Sequence, residues 1–516
     1  MIQTGRIVIV GAGLAGLQAA LSLAPRPVLV LSPEPLGEGA SSAWAQGGIA
    51  AAMAAADSPA AHARDTLAAG AGLVDPAIAA LVTYAAPETI HELVGQGTPF
   101  DRDAEGGFVL NMEAAHSMPR VVRVKGDQAG RQIMAALIGA VRAMPSVQVM
   151  EGVSAQGLLT DGGRVVGVQV AATGCAAVDI FAPAVVLAGG GSGGLYALTT
   201  NPPRIRGQVA GMAARAGARM ADMEFVQFHP TAMDVGLDPA PLATEALRGA
   251  GATLINARGD RFMLAEHPAA ELAPRDIVAR AVFAQTQAGL RPMLDTRAAL
   301  GAGILTDYPA VAEACARAGL DPVRDPIPVA AAVHYHMGGV ATDAQGRTSL
   351  PGLWACGEAA ATGLHGGNRL ASNGVLEALV MARAVAADLG AQLAVQDAAK
   401  IALPPMPPQP APGAALIAHL RATMSARVGV RRHAQGLEAA LVTLARLEAA
   451  SDHPDLRNMI ATATLITAAA LMRTESRGAQ WRDDFPSPDP TQAKRQFLTL
   501  PQALVLREHL TKAHTP

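Results

Sequence analysis

Short apolar runs, rich in β-branched residues and ending beside small residues, recur along the chain. Near the N-terminus, the run 6–10 is followed by leucines at helical spacing and then by a second run, 27–31. Such runs are typical of parallel strands that are buried on both faces. Comparable runs at 184–188 and 353–358 have the same character, so we predict that they return to the same sheet.

The turn after the first run carries a glycine pattern that is common in nucleotide-binding turns. Gly11, Gly13 and Gly16 form GxGxxG between a strand and a helix, within a βαβ unit. These glycines allow a tight turn, close approach of a pyrophosphate and close packing of helix on strand. The pattern predicts a dinucleotide site. The second strand ends in Ser32, where an enzyme that binds NAD would usually have an acidic residue.

The remaining patterns divide the chain. An Asp-Gly turn at 161–163 predicts a hairpin, and the proline-rich stretch 401–413 predicts a stiff linker. Helical periodicity without strands over 415–449 and 455–473 predicts a terminal bundle. We therefore predict an α/β chain with a Rossmann-like nucleotide-binding domain, an inserted α+β capping domain and a C-terminal helical bundle. The predicted bounds are 1–226 and 333–400 for the nucleotide-binding domain, 227–332 for the cap, 401–413 for the linker and 414–516 for the bundle.

Composition narrows the classes of function. The chain has 516 residues, of which half are apolar and 16% charged, so it can bury a large interior in several units. A net charge of −3 with no long basic run argues against a nucleic-acid partner. The three cysteines, Cys175, Cys315 and Cys356, form no CxxC pair, which argues against a disulfide reductase. Sparse cysteines and no convincing signal peptide or membrane span predict a cytoplasmic protein without a membrane partner.

Several segments combine histidine, arginine and threonine with glycine. Taken singly, each has an ordinary explanation, because an isolated histidine more often satisfies a local hydrogen bond than performs catalysis. Metal binding is not indicated, since no HxxxH helix or carboxylate cluster accompanies the histidines. The segments are 224–231, 244–249, 274–278, 334–339 and 365–373.

The order and spacing of these segments resemble the flavoprotein family that includes succinate dehydrogenase, fumarate reductase and L-aspartate oxidase. The loop Ser41–Ala50 and the segment Glu475–Gly478 match this family as well. The resemblance runs from Gly5 into the C-terminal bundle and implies an FAD-binding domain. In the dehydrogenase branch, a histidine five positions before the glutamine that corresponds to Gln46 carries FAD covalently. Ser41 stands at that position, so the resemblance implies non-covalent FAD.

The resemblance also implies which residues contact FAD. The pyrophosphate would meet the glycine turn, and the flavin ring would meet the Ser41–Gly48 loop. Glu358, at a strand end, would bind the ribose hydroxyls and so supply the carboxylate that Ser32 does not. The implied residues are Gly11, Ala12, Gly13, Leu14, Ala15, Gly16, Ser32, Ser41, Ser42, Gln46, Gly47, Gly48, Gln208, Glu358, Ser372, Gly374 and Val375.

For the substrate, the resemblance implies a dicarboxylate held by cations and neutral donors. Arg369 can bind one carboxylate through two parallel hydrogen bonds. Arg275 matches the family's proton-transferring arginine, and Glu245 and Arg248 match the relay beside it. The implied substrate-binding residues are Glu113, Gln227, His229, Thr244, His334 and Arg369.

One segment separates the branches of the family. Glu113–Ser117 reads Glu-x-x-His-Ser, as in the aspartate oxidase branch, where the glutamate is placed to meet the substrate ammonium. The resemblance then implies oxidation of L-aspartate to iminoaspartate, with oxygen or fumarate as acceptor. It also implies the first step of NAD biosynthesis, with quinolinate synthase as a partner. Otherwise Glu113 is a surface glutamate.

Two alternatives remain. A soluble fumarate reductase or succinate dehydrogenase flavoprotein would share most of the motifs, although Ser41 and Glu113 speak against it. A flavin-binding protein without activity would not need the full set of cationic and histidine residues. Five positions depart from the family pattern and leave loop closure and FAD affinity open: Ala114–Ala115, Arg123, Gln208 and Gln480.

Overall fold

A parallel sheet of five strands forms the centre of the protein, in a computed structural model that describes residues 1–395 and 397–513. The apolar runs near the N-terminus and at 185–187 and 353–355 all join it as predicted, because strands covered on both faces need continuous apolar sequence. An edge strand near residue 149 was not predicted. The strand order is Leu353–Ala355, Val185–Leu187, Ile7–Val10, Val28–Ser32 and Val147–Glu151.

Helices cover this sheet, and the first of them begins at the predicted glycine turn. Gly11 has a φ of +111°, and a side chain on it would collide with the carbonyl of Ala188 in the neighbouring strand. A side chain on Gly16 would collide with the carbonyl of Gly11. Only glycine therefore lets this helix start against the strand ends. The helices of this region are Leu14–Ser22, Pro59–Ala69, Pro76–Gly95, Ala129–Ala143, Gln208–Arg215 and Asn373–Gln392.

Smaller sheets surround the central one. The predicted hairpin is confirmed: two nine-residue strands meet at Gly162–Gly163, which have φ values of +53° and +79°. Together with two further strands it forms a four-stranded sheet, and another small sheet supports the loop that follows the glycine turn. The strands are Val153–Asp161, Arg164–Ala172, Val178–Phe181 and Ile2–Gln3, then Ile49–Ala50, Val121–Val122 and Leu110–Asn111.

The region predicted as a cap is built on its own sheet and core. Two long antiparallel strands, Val226–Met233 and Ile327–His336, connect it to the rest of the chain. Leu247, Val278 and Leu294 are among the fully buried side chains of a separate apolar cluster there. The shorter strands are Met293–Asp295 and Thr253–Ile255, and the helices are Glu245–Gly249, Met263–Glu266, Arg275–Gln287, Ile304–Asp307 and Pro309–Arg317.

The C-terminal region is helical as predicted, and it also contains a short strand that lies outside the two stretches, 415–449 and 455–473, expected to lack strands. Phe497–Leu498 pairs with Met220–Ala221 and extends a small sheet that also contains Gly339–Ala341 and Ala360–Ala361. A two-residue strand has too few positions to show an alternating pattern. The helices are Ala414–Arg427, Ala434–Ala449, Pro454–Met472 and Leu500–Ala513.

The proline-rich stretch before this bundle lies along the edge of the central region. Ile401 exchanges two hydrogen bonds with the side chain of Gln148, at 2.7 and 3.0 Å, and the backbone N–H of Gln409 donates to Gly174. The stretch is thus held to the surface by backbone contacts. None of the helices within residues 1–395 and 397–513 is long and apolar enough to span a membrane.

Gly211 sets how closely the bundle approaches the nucleotide-binding region. A side chain there would collide with the backbone carbonyl of Asn458 in the helix Pro454–Met472. We expect Gly211→Ala to lower the free energy of unfolding by about 1–3 kcal/mol, the usual cost of overpacking. Gly139→Ala is the control, because Gly139 is exposed in a helix with nothing within 4 Å. It should stabilise by up to about 1 kcal/mol. Equal thermal unfolding midpoints for the two variants would contradict this account.

Candidate active site

A cavity of about 820 Å³ extends from the glycine turn to the cap region. It lies at the carboxyl ends of the central strands, where open α/β sheets usually bind ligands. Most of the residues predicted from the resemblance line it. Three do not: Gly16 packs behind the turn, while Gln227 and Arg248 lie behind the lining side chains. Those at the wall are Gly11–Ala15, Ser32, Ser41, Ser42, Gln46–Gly48, Glu113, Gln208, His229, Thr244, Glu245, Arg275, His334, Glu358, Arg369, Ser372, Gly374 and Val375.

The glycine-turn end of the cavity fits FAD. The helix Leu14–Ser22 begins here with no acidic residue in its first turn, so its N-terminus favours a phosphate group. Its first backbone N–H donates to Ser42 Oγ at 3.1 Å. At the other end of the Ser41–Gly48 loop, Gln46 Oε1 is buried and has no hydrogen-bond partner within the described residues. Such an atom calls for a polar ligand group.

The implied hydroxyl-binding carboxylate is present and shielded. Glu358 Oε1 accepts a hydrogen bond from the His336 backbone N–H at 2.9 Å, and burial raises the pKa of this carboxyl to about 7. The Ser32 hydroxyl donates instead to the carbonyl of Glu34 at 2.6 Å. Ser41 donates to Asn201 Oδ1 at 3.1 Å and offers no imidazole for a covalent bond.

Two arginines meet at one amide at the cap end of the cavity. Gln227 Oε1 accepts from Arg275 at 3.1 Å and from Arg369 Nε at 3.2 Å. Gln227 Nε2 donates to Asn368 Oδ1 at 3.1 Å and to the Arg369 carbonyl at 3.0 Å. Because all four groups are buried, the amide is locked with its oxygen toward the cations. Gln227 therefore positions both guanidinium groups.

Behind Arg275 lies a buried carboxylate between two arginines. Glu245 Oε2 accepts a hydrogen bond from Arg275 Nε, and Glu245 Oε1 lies 3.4 Å from Arg248. Burial alone would raise the pKa of Glu245, but the charges of Arg275 and Arg248 outweigh it and hold that pKa below its usual value. Arg248 in turn donates to the carbonyl of Glu271 at 2.6 Å. The chain Arg275–Glu245–Arg248 is continuous, as the resemblance implies.

Two histidines complete this wall. The Thr231 backbone N–H donates to His229 Nδ1 at 3.2 Å, so the hydrogen of the neutral ring must be on Nε2. That Nε2 is buried with no partner within the described residues. His334 Nδ1 is hydrogen-bonded to Thr200 Oγ1 at 2.8 Å. Burial first, and then neighbouring cations, hold the pKa of both histidines well below 6.5. Both are therefore neutral at pH 7, and His229 is a free hydrogen-bond donor.

Glu113 lines the same cavity. Its Oε2 accepts a hydrogen bond from Ser372 Oγ at 3.0 Å, and its Oε1 has no hydrogen-bond partner within the described residues. Burial and the nearby charge of Glu245 raise the pKa of Glu113 to about 7. The side chain is only 2% exposed, so the alternative of a surface glutamate is wrong.

The loop after Glu113 explains one departure from the family pattern. Ala115 has a φ of +62°, a conformation that glycine adopts without cost, so the glycines often found here would relieve strain. His116 Nε2 donates to the Ala371 carbonyl at 3.1 Å. Arg120 is fully buried and pairs with Asp57 at 2.9 Å. The His116 contact holds the loop against the segment that carries Ser372.

The other departures have local partners. Arg123 donates to the carbonyl of Asp307 at 2.9 Å and so links the nucleotide-binding region to the cap. Gln208 Oε1 accepts from the Arg206 backbone N–H at 3.0 Å. Gln480 accepts from the buried Arg432 and donates to the Ala470 carbonyl at 3.0 Å.

Sequence reasoning missed several residues of the wall. Tyr335 lines the cavity beside His334, but an aromatic residue in a strand is ordinarily read as core. Glu34 and Arg204 also line it and pair with each other. Glu34 stands two positions after Ser32, and its carboxylate could have indicated a residue of the cavity wall. Within the described residues no group of histidine, cysteine, aspartate and glutamate could hold a metal ion.

Comparisons with known proteins agree with this geometry. The family model described as "FAD binding domain" matches residues 6–375, and "Fumarate reductase flavoprotein C-term" matches 417–504. The chain is 55% identical to a Caulobacter vibrioides L-aspartate oxidase, covering 96% of each chain. It is 47% identical to that of Mesorhizobium japonicum, covering 94% of this chain and 93% of the relative.

Solved structures show the same architecture. An E. coli quinol fumarate reductase subunit superposes with a TM-score of 0.85 at 26% identity, covering 95% of this chain and 94% of that one. Mycobacterium smegmatis Sdh1 superposes with a TM-score of 0.79 at 30% identity, covering 95% and 90%. The predicted fold class and the FAD cofactor are thereby confirmed. The chain belongs to the L-aspartate oxidase family of FAD-binding flavoproteins.

Proposed function

We propose that this protein oxidises L-aspartate to iminoaspartate with non-covalently bound FAD. The observation that carries the proposal is the position of Glu113, a buried carboxylate that faces the same cavity as Arg275 and Arg369. L-aspartate carries two carboxylates and one ammonium group, and the cap end of the cavity presents cations together with the Glu113 carboxylate, which is not paired with any of them. The names of the relatives support the same activity.

Each charged group of L-aspartate has partners in the wall. Arg369 makes a bidentate pair with one carboxylate through its terminal nitrogens. His229 Nε2, His334 and Thr244 hold the remaining oxygens as neutral donors, since both rings are uncharged. Glu113 Oε1 meets the ammonium. These contacts orient the substrate α-carbon toward the loop Ser41–Gly48.

The buried chain behind Arg275 is suited to moving a proton. Arg275 contacts the cavity, whereas Glu245 and Arg248 connect it inward. An arginine is a weak acid, with a reference pKa above 12, and releases a proton only when a neighbouring base accepts it or a neighbouring cation repels its charge. Glu245 supplies the carboxylate that accepts the proton from Arg275, and Arg248 supplies the repelling cation. FAD, when bound, supplies the hydride acceptor, and oxygen or fumarate then takes up the electron pair.

Fumarate reduction or succinate oxidation is the second candidate. The cations fit any dicarboxylate, and the structural similarity to fumarate reductase favours this reaction. Neither fumarate nor succinate has an amine, however, so Glu113 would have no partner on the substrate. We also propose, from the sequence resemblance, that the product passes to quinolinate synthase in NAD biosynthesis and that the protein works in the cytoplasm.

Anaerobic mixing of the holoenzyme with each substrate tests the proposed function. L-aspartate should bleach the flavin absorbance, and peroxide should form once air is admitted. Succinate should leave the flavin oxidised, because it does not use the ammonium site. Bleaching by succinate alone would move the protein to the dicarboxylate dehydrogenase branch. Bleaching by neither substrate would refute both reactions.

Replacing Arg275 removes the group that we assign to proton transfer. We expect Arg275→Leu to lower kcat for L-aspartate by about 10²- to 10⁴-fold, the usual contribution of a positioned acid or base. The FAD content should stay unchanged, because Arg275 lies at the cap end of the cavity. Arg258→Leu, at an exposed cap position, is the control and should retain full turnover. Near-normal turnover of Arg275→Leu would refute the assignment.

The charge of Glu113 should appear in the pH profile. Its raised pKa of about 7 means that the carboxylate is neutralised as pH falls through that value, and the ammonium then loses its partner. We therefore expect kcat/KM for L-aspartate to fall about tenfold per pH unit below pH 7.

Glu113→Gln provides the matched test. It should lack this acidic limb and have a kcat/KM about ten- to a hundredfold lower at pH 8, since a hydrogen bond to a charged group is lost. Fumarate, which is an anion without an amine, should bind the variant at least as tightly as the parent. A kcat/KM for L-aspartate within a factor of about two of the parent at pH 8 would show that Glu113 does not bind the ammonium.

A further inference from the structure

Tyr335 lies between the substrate-side arginine and a second buried polar cluster. It belongs to the long strand Ile327–His336 and lines the cavity. The guanidinium carbon of Arg369 lies 4.4 Å from the centroid of its ring, within the range of a cation–π contact. A side chain on Gly374 would come within 3.1 Å of the ring and 3.2 Å of the Arg369 guanidinium. The stacked pair is therefore closely enclosed on this side, where a larger residue would press on both groups.

The hydroxyl of Tyr335 is fixed at the other end of the ring. It donates to Glu377 Oε2 at 3.2 Å, and His365 Nε2 lies 2.8 Å from the same oxygen. Glu377 Oε1 accepts from Thr362 Oγ1 at 2.5 Å. Burial alone would raise the pKa of Glu377, but His365 and these hydrogen bonds hold it below its usual value. Glu377 is thus a buried anion with several fixed donors, and the ring cannot swing away from Arg369 without losing its hydrogen bond to Glu377.

The contacts of Arg369 indicate how the stack on Tyr335 affects its guanidinium group. Its Nε donates to Gln227 Oε1 at 3.2 Å, while its two terminal nitrogens make no hydrogen bond to any described residue. An arginine side chain has several rotatable bonds and loses considerable entropy when it is fixed. A single hydrogen bond at Nε would still let the guanidinium plane rotate about the Nε–H···O direction. The stack on the Tyr335 ring prevents that rotation. The guanidinium plane is then set before a carboxylate arrives.

We infer that Tyr335 is a positioning residue, which holds Arg369 ready to bind a substrate carboxylate and is itself anchored by Glu377. This inference rests on the proposed function, because Arg369 binds the dicarboxylate there. Tyr335 makes no proton transfer and no direct contact with the reacting atoms in this account. Its effect must therefore pass through the guanidinium of Arg369.

Fumarate binding to the oxidised holoenzyme measures this effect without turnover, since oxidised FAD cannot reduce fumarate. The dissociation constant is read from the change in flavin absorbance. Tyr335→Leu removes the stack and should weaken binding about tenfold or more, whereas Tyr335→Phe keeps the ring, loses the anchor and should weaken it about threefold. Tyr308→Phe, which also removes a buried tyrosine hydroxyl, should leave the dissociation constant unchanged.

A double-mutant cycle with Arg369→Lys separates positioning from general damage. A lysine has no guanidinium plane to orient, so both Tyr335 substitutions should change fumarate affinity by less than about twofold in that background. Equal factors in both backgrounds, or no effect of Tyr335→Leu in the parent, would overturn the role of Tyr335. Normal binding by Tyr335→Phe would overturn the anchoring by Glu377. If Arg369→Lys alone binds fumarate normally, the proposed function's dicarboxylate site is wrong, and the inference is wrong with it.

Discussion

Burial of three arginines around two acceptor side chains is the constraint on which the rest of the structure depends. Arg248, Arg275 and Arg369 are all buried, and a buried charge without a partner costs several kcal/mol, on the order of its desolvation penalty. Glu245 accepts a hydrogen bond from Arg275 and lies close enough to Arg248 to form an ion pair. Gln227 accepts hydrogen bonds from Arg275 and Arg369. Glu245 is the ionised carboxylate that pairs within the cluster, and Glu271, which lies near Arg248, is paired with Arg261, so the three guanidinium groups keep an excess of positive charge. A bound dicarboxylate would neutralise that excess positive charge. The charges that hold the cap in place are therefore the same charges that would bind the substrate.

The same constraint joins the parts of the chain. Gln227 and Arg275 come from the cap region, whereas Asn368 and Arg369 come from the segment that returns to the nucleotide-binding region. Gln227 donates to Asn368 and to the Arg369 carbonyl, and it accepts from both Arg275 and Arg369. The cluster is therefore complete only when the cap is docked. The orientation of the amide is thereby fixed by its partners on both sides. A cap in another position would leave buried cations and an amide without partners, at a cost in free energy.

The sequence predicts those parts of the molecule in which local pattern and final structure agree. The runs at 7–10 and 185–187 are apolar throughout because both faces of the central sheet are covered, so their pattern is unambiguous. The edge strand Val147–Glu151 mixes polar and apolar residues, and Phe497–Leu498 is too short to show a period. The site residues were found through the resemblance and not through periodicity, since their segments lie far apart in the chain. Tyr335 was missed because its role depends on Arg369 and Glu377, which only the folded chain brings beside it.

On the proposed function, the titration of Glu113 would let one pocket accept both L-aspartate and fumarate. Its pKa of about 7 places it near the midpoint of its titration at neutral pH when no substrate is present. An arriving ammonium favours the ionised carboxylate, and the pair is stabilised in the buried site. An arriving fumarate brings only negative charge and favours the protonated form, which the burial of the side chain also favours. The proton on Glu113 therefore adjusts the charge of the pocket to the ligand, while the arginine cluster keeps the same geometry for both. A carboxylate with an ordinary pKa could not do this, because it would remain charged and would repel fumarate throughout the neutral range.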